Sequence, residues 1–127
     1  MTGRQLDSMV IKGKLERKTM RLVFSQGDDV LANIRQAMVD NKIKEARVED
    51  VSGKLAQGVI NTFEGNAYKR IDLKDKEIIR ASGTFKFGGG DMWGALHVFS
   101  EGRKPISGSV SKAIAAEGFE LKLSFVP

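Results

Sequence analysis

The chain has 127 residues, 41% hydrophobic and 29% charged, which fits one domain able to bury roughly two-thirds of its unfolded surface without staples. It has no cysteine, which excludes disulfides, thiolate metal sites and cysteine nucleophiles and fits a reducing compartment. The 21 Lys and Arg against 16 Asp and Glu leave +5, an excess that attracts polyanions in low salt, and no stretch approaches the ~20 apolar residues of a membrane helix.

The opening MTGRQLDSM lacks the apolar centre of a signal peptide, so a cytoplasmic protein without membrane contact is expected. Residues 1–8 read as a tail and 9–127 as a single domain. Met9, Ile11, Gly13 and Leu15 alternate with Val10, Lys12 and Lys14, as in a strand with one wet face. Met20, Leu22 and Phe24 alternate with Arg21 and Val23 in a second strand, and the two read as a hairpin. Lys12, Lys14, Arg17, Lys18 and Arg21 make the densest basic cluster in the chain. It is a candidate nucleic-acid contact, and equally the lysine guard that keeps an edge strand from pairing with another chain.

Gly27-Asp28-Asp29 precedes VLANIRQAMVDN, where Val30, Leu31, Ile34, Ala37 and Met38 fall three and four apart and predict a helix. Asp28 and Asp29 fit a cap on its first turn better than a catalytic carboxylate pair, and Asn41-Lys42 fits its stop. From Ile43 the pattern turns extended, through Ala46 and Val48 to Val51-Ser52-Gly53, then Leu55 to Phe63, a Gly65-Asn66 turn, and Tyr68 to Leu73. Lys74-Asp75-Lys76 reads as a further turn, and residues 77–87 as one long strand with Gly83 at a bend or bulge. Gly88-Gly89-Gly90 closes that strand without the Gly-Lys-Ser/Thr and following helix of a phosphate loop. Leu96 and Val98 alternate with Ala95, the only histidine, His97, and Phe99, until Glu101 to Pro105 turns the chain into another hairpin. A short second helix is expected near Val110 to Ala116. The succession predicts an α+β fold, a largely antiparallel sheet of about seven strands with one main helix packed on it.

The order GDDVLANIRQAMVDNKI, Val51-Ser52-Gly53, KDKEIIRASGTF, ALHVFSEG, PISGSV and AAEGFELKLSF resembles the PPC domain, the plant and prokaryote conserved domain, a family often labelled DNA-binding. The likeness runs from about Met9 to Phe125. It implies a compact α+β domain that assembles as a homotrimer. In many prokaryotic members it implies a zinc site as well, with a His-x-His strand and a later Gly-Gly-His supplying three imidazoles, similar to acetolactate decarboxylase. Three nitrogens and an open position are what water activation at zinc needs.

This chain departs from that pattern at the ligands. His97 matches the second histidine of His-x-His, but the first position is Ala95 and the Gly-Gly-His position reads Ser107-Gly108-Ser109. Neither metal nor cofactor is therefore expected, and no catalytic residue is assigned. The departure resembles the plant branch, whose DNA contact is attributed to Arg-Gly-Arg-Pro arms, and Thr2-Gly3-Arg4-Gln5 lacks that core. The expected function is a non-enzymatic oligomeric module that associates with DNA without sequence preference or serves as a scaffold for other proteins. The alternative is an enzyme or small-ligand pocket at a subunit interface around His97, Ser107 and Ser109, with Arg80, Asp91 or Glu101 nearby.

Overall fold

The computed structural model describes residues 17–102 and 105–127. The strand read at Met9 to Leu15, with Lys12 and Lys14, lies outside them. Among the described residues the order is β1 (Lys18–Val23), α1 (Val30–Asp40), β2 (Glu45–Ser52), β3 (Lys54–Glu64), β4 (Ala67–Glu77), β5 (Arg80–Gly88), β6 (Asp91–Ser100), β7 (Ile106–Ala115) and β8 (Glu120–Phe125). The eight strands form one sheet in the order β1-β8-β2-β5-β6-β7-β3-β4, and every named pairing is antiparallel.

Three expectations are corrected by pairing. Val110 to Ala116 is no helix: its small residues alternate, Ala113 and Ala115 pointing into the core, and β7 pairs with β3 from Leu55↔Ala115 to Asn61↔Ser109. Cross-strand pairing and burial with a period of two override the helix propensity of alanine. Lys74-Asp75-Lys76 does not turn the chain. It lies inside β4, with Asp75 at φ +50, because Lys74 and Lys76 stay paired to Gln57 and Leu55. The long strand at residues 77–87 is two strands, since β4 ends at Glu77 and β5 begins at Arg80. Buried Ile78 sits between them, its N–H donating to the Gly53 carbonyl. Gly83 is paired without a register shift, opposite Leu96, so it marks no bulge.

Helix α1 forms where its apolar stripe predicts. Val30, Ile34 and Met38 are fully buried on one face, each worth about 1.5–3 kcal/mol relative to exposure. The Asp29 carboxylate accepts from the Ala32 N–H at 3.0 Å, while Asp28 accepts from Ser25 N–H, so the two acids have separate structural roles. Asp29→Ala is expected to cost about 0.5–2 kcal/mol in urea unfolding, with Asp29→Asn losing only a fraction of that. Midway along the helix Arg35 lies 5.5 Å from the Phe87 ring and reaches the Gly90 carbonyl, tying the helix to the β5–β6 turn. That turn needs only Gly89 and Gly90, at φ +60 and +82, the positive values a two-residue hairpin requires.

The helix covers one face of the sheet. Alternation sends Leu121 and Leu123, Ala46 and Val48, Phe85, Leu96 and Val98, Ile60 and Leu73 to that side, where they form a continuous core. The intervening residues stand on the opposite face, on which no described element packs.

Candidate functional site

The open face can be read from strand register, since directly paired residues share a side. One row runs Ser82↔His97↔Ser109↔Asn61↔Arg70 across β5, β6, β7, β3 and β4. The neighbouring row, two residues along each strand, starts Arg80↔Phe99↔Ser107 and ends Phe63↔Tyr68. The first is polar throughout; the second alternates one cation and one hydroxyl with three aromatic rings.

All the residues of these rows except Arg70 line a concavity of about 690 Å³. Its origin lies in the pairing: β2 stays with β5 only to Val48↔Gly83, and its register against β8 shifts between Val48 and Asp50. The end of β5 that carries Arg80 and Ser82 is thereby left without β2, and Glu49 and Asp50 form the far wall. Glu49 is fixed there by the hydroxyl of buried Ser124, which donates to its carboxylate. Arg17 donates in turn to that hydroxyl at 3.2 Å and to the Ser124 carbonyl at 3.0 Å.

His97, Ser107 and Ser109 thus all line one concavity, His97 and Ser109 as direct cross-strand partners. Arg80 lines it too, whereas Asp91 and Glu101 do not. Among the described residues the His97 imidazole makes no hydrogen bond, so no carboxylate or hydroxyl orients it as a base. Of the basic cluster, the described members Arg17, Lys18 and Arg21 do not share one face. Arg17 is engaged with Ser124, and Arg21 pairs with Glu120 at 3.1 Å, an exposed ion pair of small worth. Lys18 alternates with them onto the helix side with Met20 and Leu22, and Lys12 and Lys14 are outside the described residues.

Other cations do stand on the open face. Arg47, Lys122, Lys74 and Lys112 flank buried Ala46, Leu121, Leu73 and Ala113 and so point away from the core. Among the described residues none of the four makes an ion pair; Arg80 makes none either, its guanidinium lying 4.5 Å from the Phe99 ring centroid. Sequence reasoning named Arg80 only as a neighbour of His97 and missed the other four, which come singly from four strands. The available signal was alternation: each flanks an apolar residue later found in the core.

The positions that the resemblance aligns with zinc ligands, Ala95, His97 and Ser109, lie together on this face, as β5–β6 and β6–β7 pairing requires. They supply one imidazole, a hydroxyl and a methyl group, which do not fit a three-nitrogen zinc site. Among the described residues no group of three or more His, Cys, Asp or Glu could hold a metal ion, and no helix is long and apolar enough to cross a membrane.

Comparison with solved structures finds the same fold. A metal-containing protein from Archaeoglobus fulgidus superposes with a TM-score of 0.75 at 18% identity, covering 92% of this chain and 84% of that one. A plant- and prokaryote-conserved protein from Pyrococcus horikoshii gives 0.74 at 20% identity, covering 93% and 85%. A protein from Ralstonia eutropha JMP134, named as a proposed DNA-binding protein, gives 0.70 at 18% identity, covering 91% and 84%. No curated protein matches. The model of the Plants and Prokaryotes Conserved (PCC) domain matches residues 12–123, nearly the whole chain, and with the shared fold this establishes that the chain belongs to the PCC domain family.

Proposed function

We propose that this chain is a non-enzymatic, homotrimeric module that associates with DNA by gripping the phosphate backbone, without reading base sequence, through the open face of its sheet. The observation that carries the reading is the set of cations on that face: Arg47, Arg80, Lys74, Lys112 and Lys122 belong to five strands of one surface. A trimer of chains at +5 carries about +15, which deepens the salt-sensitive attraction to phosphate. Similar folds named as proposed DNA-binding proteins, from Ralstonia eutropha and Bacteroides thetaiotaomicron, support it. Among the described residues no acidic group orients the His97 imidazole, which favours a binding role over a catalytic one, and the same face can scaffold a protein partner.

Fluorescence anisotropy of a labelled duplex of about two helical turns tests this. Binding is expected to weaken steeply with salt, and Arg47→Ala and Lys122→Ala each to lower the slope of log K against log salt by about 0.9. An unchanged slope in both variants, or no binding at about 50 mM salt, would sink the reading.

The concavity favours a second reading, a small-ligand site around His97, Ser107 and Ser109. Its volume of about 690 Å³ and its mix of rings with converging polar groups are those of ligand-binding clefts.

A further inference from the structure

We infer that the concavity receives the unstacked bases of single-stranded nucleic acid, with the strand's phosphates on the cations around it. This rests on the backbone-binding reading of the same face and adds what that reading lacks, a surface for the bases themselves.

The aromatic row is the first ground. Phe63 and Tyr68 are 61% and 78% exposed, and their rings meet edge to face at 5.1 Å next to the β3–β4 turn. Large rings left this open on a strand pair mark a contact surface rather than a core. Phe99 lies further along the same row, with the Arg80 guanidinium held against its ring. Planar rings and guanidinium groups are the surfaces on which unpaired bases stack, whatever their sequence.

The polar row is the second ground. Ser82, His97, Ser109 and Asn61 run alongside the rings and offer hydroxyl, imidazole and amide groups to base edges. In a duplex those faces and edges are stacked and paired, so only an unpaired strand can use both rows at once. Charge sets the strand's direction. Arg80 and Arg70 attract phosphate, while Glu49 and Asp50 on the β2 wall repel it and can accept from exocyclic amines of bases. The Arg70 guanidinium already contacts Asp72 at 3.2 Å, an exposed pair that a phosphate can exchange with.

Anisotropy of the full chain with a labelled oligothymidine of about 15 nucleotides, in competition with a duplex of equal length, tests the inference. The single strand is expected to bind more tightly than the duplex. Phe63→Ala and Tyr68→Ala should each weaken single-strand binding roughly 5- to 100-fold and leave duplex binding unchanged, with Tyr68→Phe retaining affinity. Arg47→Ala and Lys122→Ala should weaken both. Equal losses on both substrates, or none, in the aromatic variants would overturn the inference while duplex binding with its salt slope leaves the backbone reading intact. Thymidine monophosphate binding as tightly as the oligomer would also overturn it, in favour of a small-ligand site. No binding of either nucleic acid at low salt would overturn both readings.

Discussion

Gly83→Ala is expected to abolish cooperative folding or to cost more than about 3 kcal/mol, with Gly94→Ala close behind. The cause is the spacing of β5 and β6. A Cβ on Gly83 would stand 2.1 Å from the Ala95 carbonyl oxygen, and one on Gly94 2.2 Å from that of Thr84. Both obstacles are backbone atoms of the paired strand, so relief requires the centre of the sheet to part. Their φ values, +146 and +137, add strain that an L side chain rarely accepts. Gly27→Ala separates the two contributions, because at φ +93 its Cβ would meet nothing within 4 Å. It should cost only about 1–2 kcal/mol in urea unfolding. If Gly83→Ala cost no more than Gly27→Ala, the close approach of β5 and β6 would be wrong.

Phe119→Ala should follow, at about 3–5 kcal/mol. Phe119 is 1% exposed, and its ring lies 5.6 Å from that of Phe24, also buried. The carbonyl of Phe119 accepts from the Phe24 N–H at 2.8 Å, and Gly118 N–H donates to the Phe24 carbonyl. The pair therefore closes the core where β1 gives way to the helix and β8 begins. Removing one ring leaves a void beside Phe24, in a part of the core whose backbone these hydrogen bonds hold in place. A loss below about 1 kcal/mol would mean that this end of the core is loosely packed.

The helix was legible because Val30, Ile34 and Met38 carry a period that only a helix buries on one side, with Asp29 at its start. Most strands were legible through alternation, as at Ala46 and Val48 or Leu121 and Leu123. What sequence concealed was pairing. Ala113 and Ala115 look helical until Gly58 and Leu55 are seen opposite them, and Lys74 to Lys76 looks like a turn until β3 is seen holding it straight. The candidate site shows the same division. His97, Ser107 and Ser109 stood out from one stretch of chain and do line one concavity. With one Trp, one Tyr and no basic-aromatic alternation, the linear sequence displays no row of rings. Yet Phe63, Tyr68 and Phe99 come from three strands, and only the order β6-β7-β3-β4 sets them in one row. Of the basic cluster, the described members Arg17, Lys18 and Arg21 divide between the two faces for the converse reason. Neighbours in sequence on a strand point to opposite faces, so Lys18 parts from Arg17 and Arg21.

The central claim is that the open sheet face, and not the helix side, meets the nucleic acid. Amide chemical-shift mapping by NMR during titration with an oligonucleotide tests it most directly. Shifts concentrated at Ser82, His97, Phe99, Ser109 and Asn61, with α1 silent, are the predicted result. Shifts centred on α1 and the Lys42–Lys44 segment, or none at any salt concentration, would contradict it.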